Sequence, residues 1–272
     1  MLVNSVPFTL EQILNRSEVV ILDSNIMKGQ NDSILDMVYD FDEQLLFDQR
    51  ILEEDLPLLT KLIHSLNFRD NVFIPEGVVQ ESRNYLAKVN GVVVYHTDNF
   101  RKRKMSSYKR KNGRYEDTIP FEPEEERNLN LLRAHTNKFS KLIKLFPRKK
   151  NLSVNSVELL SKVVSRTKER KLKEDKHEVY RNYEDKRTDE YKQNNLTDEE
   201  FCVTGYELAK EGKNVALISC DKDVNRIIQS CFYKEHIFKI PKKGSLTLYF
   251  IPPGHEDYRI RFDSTLLLYN KR

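Results

Sequence analysis

Five acidic residues, Asp23, Glu81, Asp198, Asp221 and Asp223, stand in contexts where carboxylates can be gathered for chemistry. Asp23 directly follows the short apolar run Val19-Val20-Ile21-Leu22, and Asp221 follows Val215-Ala216-Leu217-Ile218 after two small residues. Each run has the length and β-branched character of a strand buried on both faces of a parallel sheet. In such sheets, ligands bind outside the carboxyl ends of the strands, so Asp23 and Asp221 are expected on one edge. Glu81 falls in the first turns of a helix expected after Pro75, and Asp198 at the start of a helix expected before Val215. Asp223 is two residues beyond Asp221. Two carboxylates about 5 Å apart repel by roughly 3 kcal/mol at an effective dielectric near 20, so a cluster of four or five calls for a cation. Hard oxygen ligands suit Mg²⁺ or Mn²⁺, ions that retain waters and accept phosphate oxygens, and the chemistry they serve best is in-line phosphoryl displacement.

The elements that must position these residues alternate. Strands are expected at 19–22, 71–74, 215–218 and 237–240. Helices are expected at 32–47, 55–66, 76–89, 198–211 and 223–230, the fourth closed by Gly212. Residues 245–251 and 258–263, around Pro252-Pro253-Gly254, read as a β-hairpin added at the C-terminal end. The alternation specifies a three-layer α/β/α fold with a central parallel sheet. Between its halves, Leu129, Leu132, Thr136, Phe139, Ile143 and Phe146 follow helical spacing up to Pro147. Asn155 and Glu158 suggest a capping box for a further helix through Leu160 and Val164. The expected domains are therefore 1–95 with 196–241 as the α/β body, 96–195 as a basic, mainly helical insertion, and 242–272 as a β extension.

Charge is divided in the same way. Residues 96–195 hold 27 Lys and Arg against 16 Asp and Glu, while the rest of the chain holds 19 against 26. An acidic body suits cations and a basic segment suits phosphates. Within 101–115, eight basic residues occur with no acidic one: Arg101, Lys102, Arg103, Lys104, Lys109, Arg110, Lys111 and Arg114. Tyr108 and Tyr115 are interleaved, and tyrosines stack on unpaired bases while Lys and Arg pair with phosphates. By contrast, Glu199, Glu200 and Glu207 read as exposed helix positions, and 166–194, where acids are mixed in, as a solvated helix.

Other chemistries are poorly supported. The three cysteines, Cys202, Cys220 and Cys231, form no Cys-x-x-Cys pair and read as reduced thiols. Six scattered histidines show no helical ligand spacing. Without a leader-like N-terminus or an apolar run of membrane length, a soluble cytoplasmic protein is expected.

Four segments resemble the motifs of PIN-domain nucleases. Val19-Val20-Ile21-Leu22-Asp23-Ser24-Asn25 looks like their opening motif, and Ile74-Pro75-Glu76-Gly77-Val78-Val79-Gln80-Glu81 like their second. Leu196-Thr197-Asp198-Glu199-Glu200-Phe201 resembles the third, and Ala216-Leu217-Ile218-Ser219-Cys220-Asp221-Lys222-Asp223 the fourth. The resemblance spans 18–95 and 195–241. It implies a PIN fold, bound Mg²⁺ or Mn²⁺, and endonucleolytic cleavage of RNA, single-stranded by preference, with single-stranded DNA as the other substrate. Asp23, Glu81, Asp198 and Asp221 are the implied metal ligands, with Glu199 one register shift from Asp198. Asp223 is implied as a further ligand or base, and Ser24 and Asn25 as hydrogen-bonding supports. Members of this kind are often toxins held by an antitoxin, which adds a protein to the partners implied. The chain departs from compact members in the long spacer between the second and third motifs, and in Cys220, where a small polar residue is more usual. A non-catalytic PIN scaffold that binds RNA or protein is the alternative. The Asp-x-Asp of topoisomerase–primase or dehalogenase-type phosphatase folds fits the chain order less well.

Overall fold

The computed structural model describes residues 7–28, 49–111, 123–145, 151–152, 156–175, 188–251 and 258–269. Along the chain run α1 (Leu10–Arg16), β1 (Val19–Leu22), α2 (Ser24–Lys28), α3 (Gln49–Asn67), β2 (Val72–Pro75), α4 (Glu76–Lys111) and α5 (Pro123–Ile143). They are followed by β3 (Asn151–Leu152), α6 (Val157–Asp175), α7 (Thr188–Lys210), β4 (Asn214–Ser219), α8 (Lys222–Gln229), a π-helical turn (Ser230–Lys234), β5 (Ser245–Phe250), β6 (Arg259–Asp263) and α9 (Leu266–Tyr269). The architecture is α/β with a mostly parallel sheet, as the alternation of strands and helices requires.

The chain divides into two compact units. The first comprises Met1–Ile26, Ser65–Glu81 and Leu145–Arg272, and the second Met27–His64 and Ser82–Lys144. These units cut across the boundaries expected from charge. β3 and α6, read from sequence as part of the basic insertion, belong to the sheet-bearing unit, because β3 pairs with β2 and α6 packs against α7.

The sheet of the first unit has the order β3-β2-β1-β4-β5-β6. All neighbouring pairs are parallel except β5 with β6. Every residue of β1 is buried, the mark of a central strand covered on both faces. One face carries Val19, Ile21, Val215, Leu217, Leu246, Leu248 and Phe262 into a core closed by Val163 of α6, Phe201 and Tyr206 of α7, and Val224, Ile227 and Ile228 of α8. On the other face, Tyr249 packs edge-on against Phe8, which precedes α1. α1 itself is fixed by a capping box between Thr9 and Gln12.

Several expected elements differ, among them the helices expected at 76–89 and 55–66, which run over Glu76–Lys111 and Gln49–Asn67. Residues 237–240 form no strand: the Phe238 amide donates to the Cys231 carbonyl and that of Lys239 to the Tyr206 hydroxyl, so neither is spent on a ladder. The next parallel strand is β5, which makes the expected C-terminal hairpin part of the main sheet rather than an appendage. The helix expected from 198 starts at Thr188, placing Asp198 well inside α7. The helix α6 is capped by Ser156, whose hydroxyl accepts from the Leu159 amide, whereas Asn155 lies outside the described residues, as does the helix expected at 32–47.

In the second unit α4 and α5 carry a buried polar seam. Tyr85 Oη and His135 Nε2 lie 3.3 Å apart, and the His135 ring stacks on Phe139. Burial pushes the His135 imidazole down to about 4 from 6.5. The folded chain therefore keeps this ring neutral where the unfolded chain protonates it, so stability is lost as pH falls from about 6.5 to about 4, by roughly 3 kcal/mol in all. Urea unfolding of wild type and His135→Leu across this range should show a steeper acid loss in wild type. Parallel pH profiles would contradict the buried neutral ring.

Candidate active site

Four of the five acidic residues converge at the carboxyl edge of the central strands. β1 ends at Leu22 and places Asp23 beside β4, where the Asp23 amide donates to the Ile218 carbonyl. Asp23 is almost fully buried. Asp221 caps α8, its carboxylate accepting from the Asp223 amide at 2.6 Å. Glu81 stands in the second turn of α4, which begins immediately after β2. Asp198 arrives by a different route. α7 turns into β4 through Gly212, at φ 103°, so it runs back along the strand. The stretch from Asp198 to Lys210 rises about 18 Å at 1.5 Å per residue. The six residues of β4 span about 20 Å, so mid-helix Asp198 returns to the carboxyl edge.

Hydroxyl and amide groups tie the cluster together. Ser219 Oγ donates to Asp23 Oδ2 at 2.6 Å and accepts from the Asp221 amide at 2.9 Å, joining the ends of β1 and β4 through one fully buried hydroxyl. Ser24 Oγ donates to Glu81 Oε2 at 2.9 Å, with Asp23 Oδ1 a weaker alternative at 3.4 Å. Asn25 Nδ2 donates to Asp221 Oδ2 at 3.3 Å. Ser219 went unrecognised as a site residue in the sequence. The signal available was a hydroxyl residue ending an otherwise apolar strand, two positions before an acid.

Asp198 reports the resulting field. Its carboxyl is held well above the usual range, first by burial and then by the negative charges of Asp23, Asp221, Glu199 and Glu81. Glu199 is buried rather than exposed, contrary to expectation, because α7 packs this turn inward. Glu200 is partly buried and is raised by desolvation and then by Glu76. The first turn of α4 comes so close that a Cβ on Gly77 would lie 2.7 Å from Glu200 Oε2. Asp223 is turned aside. It pairs with Arg226 at 3.1 Å on the exposed face of α8 and is not among the charges that raise Asp198.

The donor set is all oxygen and net negative, which matches the chemistry of Mg²⁺ or Mn²⁺. The side chains are engaged with Ser24, Asn25 and Ser219. Among the described residues, no group of three or more His, Cys, Asp or Glu is arranged to hold a metal ion. The fit rests on the charge density and donor type of the cluster.

Arg101 and Lys102 are exposed on α4, in the second unit, and Arg103, Lys104, Tyr108, Lys109, Arg110 and Lys111 belong to the same helix. Arg114 and Tyr115 lie outside the described residues. The cysteines are free, with Cys202 and Cys231 buried.

Because the folded state raises the Asp198 pKa, the contribution of this one group to cation-free stability is greatest at low pH and is lost as pH rises and Asp198 ionises. Asp198→Asn removes that charge. In EDTA at pH 8 it should melt several degrees above wild type, with the gap narrowing toward pH 5; an equal or lower melting temperature at pH 8 would contradict the repulsion. Comparison of the chain with protein-family models, curated proteins and solved structures finds no match.

Proposed function

We propose that this chain is a Mg²⁺- or Mn²⁺-dependent endonuclease with a three-layer, PIN-like α/β/α body, hydrolysing phosphodiester bonds in single-stranded RNA. The observation that carries the proposal is the gathering of carboxylates at the carboxyl edge of a parallel sheet, where Ser219, Ser24 and Asn25 tie Asp23, Glu81 and Asp221 together and where burial, followed by the charges of four neighbouring acids, raises Asp198. A purely structural role gives no reason to gather so many like charges at a strand edge.

In this reading Asp23, Glu81, Asp198 and Asp221 hold the cation, with Glu199 next to them. Bound there, Mg²⁺ or Mn²⁺ supplies neutralising charge, a lowered water pKa and stabilisation of phosphoryl oxygens. Ser219 orients Asp23 and restrains the start of α8, so two donors on separate strands keep a fixed spacing. Ser24 and Asn25 do the same for Glu81 and Asp221. Arg101 and Lys102, exposed on α4, are the described members of the basic run proposed to meet the anionic polymer. Asp223, paired to Arg226, has no part in the proposed chemistry.

The second reading is a non-cleaving scaffold that binds RNA or protein. It is favoured by the engagement of Asp23, Glu81 and Asp221 with side chains of their own site. Incubation of the full chain with labelled single-stranded RNA in Mn²⁺, Mg²⁺ or EDTA separates the two. Metal-dependent cleavage is expected, reduced at least about 100-fold by Asp23→Asn and by Asp221→Asn, in line with a loss of roughly 3 kcal/mol of transition-state stabilisation. Tight binding without cleavage in either metal would establish the scaffold instead.

A further inference from the structure

The parallel sheet ends in one antiparallel strand, β6, and the register shows what that strand brings to the carboxyl edge. Leu22 pairs with Ile218, so Asp23 stands in line with Ser219. Ser219 pairs with Phe250, and Phe250 pairs with Arg259. Asp23, Ser219, Phe250 and Arg259 thus form one row across β1, β4, β5 and β6. Because β6 runs against the others, its first residues, not its last, lie at this edge. Two strand spacings separate Arg259 from the end of β4, or about 10 Å.

A second arginine is directed to the same corner by an irregularity. Leu248 pairs with Phe262 but Tyr249 pairs with Ile260, so Arg261 is the extra residue of a bulge. A bulge re-aims the side chain it carries. Here the Arg261 guanidinium lies 5.1 Å from the centroid of the Phe250 ring, a cation–π contact that holds it in place. Arg259 and Arg261 are both exposed, and neither makes an ion pair or side-chain hydrogen bond among the described residues. Two guanidiniums on the strand that completes this row, unpaired with the carboxylates among the described residues, are available to a polyanion that crosses the edge.

We propose that Arg259 and Arg261 form a phosphate subsite for single-stranded nucleic acid, gripping a backbone phosphate that flanks the one presented to the carboxylates. The proposal rests on the nuclease reading for its orientation, since it takes the strand to pass over the Asp23–Asp221 edge. The chemistry fits: a guanidinium presents a planar fork of donors to phosphate oxygens and stays charged throughout the working pH range. Phe250, 5% exposed and covered by Arg261, supports that exposed guanidinium from below rather than serving as a base-stacking platform. A simpler role for charged residues on an edge strand is to discourage strand pairing between molecules. That role makes no demand on nucleic-acid affinity.

The test is binding of a fluorescent single-stranded RNA to the full chain in EDTA, where no cleavage occurs, at several salt concentrations. Arg259→Ala/Arg261→Ala should weaken binding about ten-fold at low salt and flatten the slope of log K against log salt by about 0.7, the release expected for one single-strand phosphate contact. Arg259→Lys/Arg261→Lys should recover part of the affinity and most of the slope, since charge is kept while the fork is lost. Equal affinity and slope in wild type and the alanine variant, with unchanged melting, would overturn the subsite, as would failure of wild type to bind any single strand. Loss of binding in the alanine variant of a chain that never cleaves RNA would uphold the subsite and reject the nuclease reading, so the two claims fail separately.

Discussion

Mutual repulsion among carboxylates is the constraint around which the first unit is organised. Asp23 is buried, Asp198 is pressed by four neighbouring acids, and Glu199 is buried beside it. Two unit charges 4 Å apart repel by about 4 kcal/mol at an effective dielectric of 20, comparable to a sizeable share of a domain's net stability. The apolar sheet core has to absorb that cost. β1 contributes four fully enclosed residues, and β4 buries all but its first. The rigid frame and the repulsive edge belong together: without the frame, the acids would move apart.

Small polar side chains convert this repulsion into defined geometry. Ser219 is the central one, since a single hydroxyl with no exposed surface connects a carboxylate after β1 to the backbone after β4. Each hydrogen bond to a charged group contributes about 1.5–3 kcal/mol where solvent is excluded, enough to offset part of the repulsion but not all of it. The remainder is the driving force for cation binding in the proposed function. At the opposite end of the scale, the Asp223 carboxylate pairs with Arg226 one turn away and is not among the charges that raise Asp198.

How much of this was legible in the sequence follows from which constraints are local. β1 and β4 are short apolar β-branched runs, and a residue directly after such a run has little choice but to lie at a strand end; Asp23 and Asp221 were readable for that reason. Asp198 was readable only as an acid near a helix, because nothing local marks α7 as beginning at Thr188 or gives the pitch arithmetic that returns its middle to the edge. Glu199 looked like one more solvated helix acid, since burial of that face depends on packing against distant elements. The strand expected at 237–240 failed for a similar reason. Its amides are claimed by Cys231 and by the Tyr206 hydroxyl, partners invisible to local propensity, and β5 takes the place beside β4. The charge division between segments pointed to a basic insertion, but pairing of β3 with β2 assigns the later part of that stretch to the sheet.

The central claim, that the carboxyl edge is built to receive a divalent cation, is tested most directly by equilibrium binding of Mn²⁺ to the full chain in the absence of nucleic acid. Saturable binding of one or two ions per chain is expected, competed by Mg²⁺, weakened strongly by Asp23→Asn and left intact by Asp223→Asn. Absence of saturable binding at millimolar Mn²⁺, or equal losses in the Asp23 and Asp223 variants, would contradict it.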